Sequence, residues 1–144
     1  MRKALTAAGV AAASLAVAIA AGAATNAGTT KLEAKLRGAN EGAPASNRGK
    51  TEVRLTPSTG KVCWETTIAK IDGKPNASHI HKGRQGVSGN VVVPLGAGYK
   101  RQGCTTASKA LVRAITRSPG AYYVNVHNAK HPAGAMRGQL TRGT

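Results

Sequence analysis

The sequence predicts a mainly β protein: an antiparallel, Greek-key-like β-sandwich with one short helix near residues 108–117. Three observations carry that prediction. From about Thr30 the chain breaks into short runs in which apolar and polar residues alternate. Gly, Pro, Asn and Ser separate the runs, as in sandwiches and barrels assembled from short strands. Only Ser108 to Arg117 changes rhythm: Leu111, Val112 and Ile115 form a helical stripe, and Ser118-Pro119-Gly120 stops it.

The first residues are read apart from the fold. Arg2 and Lys3 precede an apolar run reaching about Ala21, and Ala21-Gly22-Ala23 offers small residues for cleavage. The run is alanine-rich and barely long enough to span a bilayer, and no charged stop-transfer segment follows it. Residues 1–23 are therefore expected to be a signal peptide cut at about residues 23–27. Residues 24–30 would be a flexible linker and residues 31–142 a single domain. The expected location is secreted or cell-envelope.

The elements follow in order. Leu32, Ala34 and Leu36 alternate with Lys31, Glu33, Lys35 and Arg37, giving a first strand with one wet face. Gly38 to Gly49 reads as a polar loop containing Asn40-Glu41 and Pro44. Val53 and Leu55 mark a second strand, Pro57-Ser58-Thr59-Gly60 a tight turn, and Lys61 to Ala69 a third strand completing a hairpin. Val62, Trp64 and Ile68 share its core side, which leaves Cys63 on the opposite face. Ile71 to Ala77 is a turn-rich link to a strand over residues 77–82. A glycine-bearing loop, Gly83 to Asn90, precedes a short strand at Val91 to Leu95, where Pro94 marks an edge or an end. After the helix, strands are expected at Ala121 to Asn128 and Ala135 to Thr141.

Charge and cysteine content narrow the partners. The formal net charge is +16, and loss of the two leader cations leaves +14. Such a balance favours acidic partners, here an anionic cell-surface polymer or another exported protein. The cations are spread along the chain and aromatic residues are few, which argues against specific nucleic-acid binding. Cys63 and Cys104 are the two cysteines, and in an exported chain an even pair reads as one disulfide. It would tie the sandwich at a face or edge. No complete catalytic constellation is present: the five carboxylates, Glu33, Glu41, Glu52, Glu65 and Asp72, all fall in the first half.

Chemistry concentrates at Ser78-His79-Ile80-His81-Lys82-Gly83. In an extended chain His79 and His81 share a face, about 7 Å apart along the strand, and Ile80 takes the other. In Tyr122 to Asn128, Val124 and Val126 take the core side and leave Tyr123, Asn125 and His127 outward. In the last strand Met136 and Leu140 go inward, leaving Arg137 and Gln139 outward. His79, His81 and His127 are therefore candidate ligands for copper or zinc, and Arg137 is a candidate surface anion contact. His131 lies in the loop before Pro132. Apart from Asp72, no carboxylate is near these histidines in sequence.

Five ordered segments resemble the CHRD domain, a module that recurs in chordin and stands alone in many exported microbial proteins. They are Leu36-Arg37-Gly38-Ala39-Asn40-Glu41, the histidine strand, Gly89-Asn90-Val91-Val92-Val93, Tyr122-Tyr123-Val124-Asn125-Val126-His127, and Pro132 through Leu140. The cysteine segments Val62-Cys63-Trp64-Glu65 and Gly103-Cys104 resemble the bacterial branch. Gly42-Ala43-Pro44 and Asn90 depart from the family's usual residues. The family has no established enzymatic activity, so the resemblance names the domain and not its job; the missing catalytic constellation and the charge of +14 point to a non-catalytic binding or structural module. The His-x-His strand with a later strand histidine is also similar to the copper ligands of copper/zinc superoxide dismutases. That likeness would make His79, His81 and His127 copper ligands, but the bridging histidine, the other zinc ligands and the zinc-site aspartate have no counterpart here.

Overall fold

A computed structural model describes residues 28–143, so the leader and most of the linker lie outside the described residues. Eight strands form one sheet, and every pairing is antiparallel. They are β1 (Thr30–Arg37), β2 (Arg48–Thr56), β3 (Lys61–Lys70), β4 (Pro75–Lys82), β5 (Val91–Pro94), β6 (Gln102–Thr106), β7 (Tyr122–Asn128) and β8 (Met136–Arg142). Their order across the sheet is β5-β4-β7-β8-β1-β2-β3-β6. The connections from β3 to β4 and from β5 to β6 cross between the two halves, which makes the topology Greek-key-like.

The sandwich is one sheet curled on itself. Leu32, Leu55, Val62 and Trp64 from one half share a single buried cluster with Ile80, Val93, Val124 and Val126 from the other. These are the apolar members of each alternation, so pleat parity decides which side is core. The one α-helix among the described residues, α1 (Lys109–Arg117), buries Val112 and Ile115 against the same cluster. The hydroxyl of Ser108 accepts from the Leu111 amide and caps its first turn.

Several boundaries move. The polar loop after β1 contains a 3-10 turn, Gly38–Glu41, and β2 begins at Arg48. Strand β4 begins at Pro75, inside the segment read as a link. Strand β6 is not anticipated by the sequence reading at all, because Gln102-Gly103-Cys104-Thr105-Thr106 offers no apolar alternation. Its place is set by the ladder to β3, by the Cys63–Cys104 disulfide, and by Gly103, whose missing side chain seats the Trp64 indole. The Trp64 Nε1 donates to the Lys100 carbonyl beside it at 3.0 Å. No helix among the described residues is long and apolar enough to cross a membrane.

Candidate metal centre

Strands β4 and β7 bring three imidazoles together on the face away from the core. His81 pairs with Tyr123, His79 with Asn125 and Ala77 with His127, so His127 reaches His79 on the diagonal. His79 Nδ1 lies 3.2 Å from His127 Nε2. One donor atom from each of His79, His81 and His127 lies within 4.8 Å of the others. The pleat argument thus brings together the three residues it named.

Backbone carbonyls orient two of these rings. His81 Nδ1 donates to the Gly89 carbonyl at 2.9 Å, and His127 Nδ1 donates to the Pro132 carbonyl at 2.9 Å. A carbonyl can only accept, so both Nδ1 atoms carry hydrogen and both Nε2 atoms present lone pairs when the rings are neutral. His81 is 8% exposed, and its Nε2 is buried with no hydrogen-bond partner. Gly89 makes this orientation possible, because a side chain there would overlap the Lys82 carbonyl at the end of β4.

The predicted solvent face is covered. Parity correctly puts Tyr123, Asn125 and Arg137 on the side opposite the core, but the loops at residues 83–90 and 131–135 and the turn at Gly38–Glu41 lie over them. Arg137 is therefore not an open surface contact: it is only 4% exposed. Its guanidinium sits 3.7 Å from the Tyr123 ring centre, and Nη2 donates to the carbonyls of Val87 at 3.1 Å and Arg84 at 3.4 Å. Its Nε is 3.5 Å from Glu41 Oε1, which also accepts from Asn125 at 3.2 Å. On the other side the His81 imidazole stacks on Tyr123, with ring centres 4.9 Å apart and planes 9° from parallel.

Glu41, Tyr123 and the Gly89 carbonyl are the parts of this site that sequence reasoning did not assign. Glu41 was visible only as a carboxylate in a polar loop, and its partners lie far along the chain. His131 does not join the trio. Its Nε2 meets Asp72 Oδ2 at 2.9 Å, and that carboxyl, which also accepts from Asn47 and His131, is held down to about 2.

Burial disfavours the charged form of His79 and His81. His79 is lowered from its ordinary value first by desolvation, then by the positive charge His127 and His81 would add. His81 is lowered by desolvation, opposed by its bond to Gly89, with smaller pushes from His127 and Arg137. The unfolded chain takes up these protons near 6.5 and the folded chain only at lower pH, so acid favours unfolding. Their contribution is complete above 6.5 and is lost as pH falls below it. Glu41 works the other way above 4.5, because burial raises its carboxyl against the pull of Arg137. With two imidazoles against one carboxyl, the urea midpoint of metal-free protein is expected to fall between about pH 7.5 and about pH 5.5. The fall should be smaller in His79→Ala/His81→Ala; an equal slope in both proteins would remove these rings as its cause.

Comparison with known proteins gives one match of substance. A family model for the CHRD domain matches residues 32–140, from the first core residue of β1 to the last of β8. No curated protein and no solved structure matches the chain. The matched span contains all eight strands in whole or in large part, the disulfide and the three histidines. The chain belongs to the CHRD domain family.

Proposed function

We propose that this chain is an exported, non-catalytic CHRD module that holds one copper or zinc ion with His79, His81 and His127. The observation that carries the reading is the Nε2 of His81, a buried lone pair without a partner beside two other imidazoles. Leaving such a group unpaired is costly, and a metal ion would satisfy it. Metal–nitrogen bonds of about 2.0–2.1 Å in a tetrahedral site ask donors to sit roughly 3.4 Å apart. The His79–His127 separation of 3.2 Å meets that requirement. Hydrogen bonds from the remote nitrogens of His81 and His127 to carbonyls are the outer support that metal-bound imidazoles commonly have.

The non-catalytic part rests on the carboxylates. Glu33 and Glu52 face Lys50, Glu65 faces Arg101, Asp72 faces His131 and Glu41 faces Arg137, so each of the five is engaged by a cation or a histidine. Export is supported by the leader composition and by a disulfide, which persists in oxidising compartments. The charge of +14 outside the leader supports an anionic cell-surface polymer or an acidic exported protein as partner.

Isothermal titration with Cu(II) and Zn(II) tests the metal reading. One ion per chain is expected to bind the native protein, and His79→Ala/His81→Ala is expected to lose that binding while its circular dichroism stays native. Equal, weak binding by both proteins would end the reading.

A further inference from the structure

A second polar site lies beside the histidine centre but does not share its ligands. A cavity of about 490 Å³ opens between β1, β8, the turn at Gly38–Glu41 and the loop at residues 83–90. Its lining includes Lys35, Asn40, Gln85, Arg137, Gln139 and Thr141, and no carboxylate. Two of these residues are cationic. Lys35 is exposed and forms no ion pair among the described residues.

Arg137 gives this cavity its character. Its Nη2 is committed to the carbonyls of Arg84 and Val87, and its Nε faces Glu41. Nη1 has no hydrogen-bond partner among the described residues, although the side chain is 4% exposed. A guanidinium enclosed on its other sides, with one edge open to a cavity whose lining holds no carboxylate, is prepared for an oxyanion, which accepts the charge-assisted bonds that edge can donate. Its neighbours restrict what else could bind. Gln139 Nε2 already donates to the Gly83 and Gly120 carbonyls, and Thr141 Oγ1 donates to the Glu33 carbonyl. The free donors left are two cations, Arg137 Nη1 and Lys35 Nζ, together with the Gln85 amide and the second hydrogen of Asn40 Nδ2, whose first goes to the Arg137 carbonyl. The volume exceeds that of a bare ion and falls in the range of small-molecule sites, roughly 300–1,000 Å³.

We propose that the cavity between Lys35 and Arg137 binds a small oxyanion ligand, a carboxylate or phosphate carried on a body about the size of one sugar ring. This site does not depend on metal binding. It is tested by following backbone amide NMR shifts of metal-free protein at low ionic strength during titration with inorganic phosphate, glucuronate, glucose 6-phosphate and neutral glucose. Saturable shifts are expected at Asn40, Gln85, Gly86, Gly138 and Gln139 with the three anions and not with glucose. Tighter binding of glucuronate or of glucose 6-phosphate than of inorganic phosphate identifies the sugar acid or the sugar phosphate as the source, and equal binding of inorganic phosphate would overturn the sugar-sized body. Lys35→Gln, an exposed change that leaves the core intact, is expected to weaken binding about tenfold, the loss of one charge-assisted contact. Lys61→Gln, away from the cavity, should leave it unchanged. Shifts scattered over the surface lysines, or equal affinity in Lys35→Gln and the native protein, would overturn the proposal.

Discussion

Arg137→Ala is expected to destabilise the fold by about 3–5 kcal/mol, the usual cost of removing one partner from a buried ion pair. Glu41 is 11% exposed at its side chain and Arg137 5%, so the pair is largely shielded from water while the guanidinium is in place. Burial already raises the Glu41 carboxyl and the Arg137 charge opposes that push, so the variant would hold a carboxylate without its counter-ion or take up a proton. Three further contacts disappear with the side chain: the stack on Tyr123 and the bonds to the carbonyls of Arg84 and Val87. Those carbonyls belong to the loop whose Gly89 fixes the His81 tautomer, so metal affinity should fall along with stability. Urea unfolding followed by circular dichroism measures the first effect. Combining Arg137→Ala with Glu41→Gln should recover part of it, because a neutral amide needs no counter-ion. A loss below about 1 kcal/mol would mean the pair is solvated as a surface pair is.

The reach of the sequence is clearest at this same residue. Alternation in β8 puts Met136 and Leu140 in the core and Arg137 on the far side, and the structure agrees. The same two-residue rhythm in β4 and β7 is enough to gather His79, His81 and His127. What alternation cannot encode is whether a face meets water. Tyr123, Asn125 and Arg137 are buried on the outer side because two loops return over them, held by contacts such as Asn125 to Glu41 at a separation of 84 residues. Nothing local in the turn Gly38–Glu41 announces that partner. Strand β6 escapes notice for a different reason. It is an edge strand with a single neighbour, so it can be built from Gln, Gly and Thr without an apolar side. The helix is legible because its stripe and its Ser118-Pro119-Gly120 stop are both local signals.

That edge strand also frames the effect expected from Cys63→Ser/Cys104→Ser, a loss of about 4 kcal/mol from the loop-closure entropy the crosslink removes from the unfolded chain. The two cysteines face each other directly across β3 and β6, at a sequence separation of 41. The enclosed segment carries β4 and β5, so without the bond the unfolded chain regains the freedom of a long loop. In the folded state the damage should be local. Strand β6 has five residues and pairs only with β3, so losing its staple lets it fray before the rest of the sheet opens. Hydrogen exchange should then show protection falling most at β6 and at the Thr66 amide, which donates to the Arg101 carbonyl just before it. The histidine centre is built on β4 and β7, neither of which pairs with β6, and metal affinity should be unchanged wherever the variant remains folded. Chemical denaturation of the oxidised protein, the reduced protein and the double serine variant separates these effects. If the serine variant unfolds at the same denaturant concentration as the oxidised protein, the crosslink does not limit the unfolded chain. If instead protection falls equally in every strand, the fold answers to the disulfide as one unit and β6 is no weaker than its neighbours.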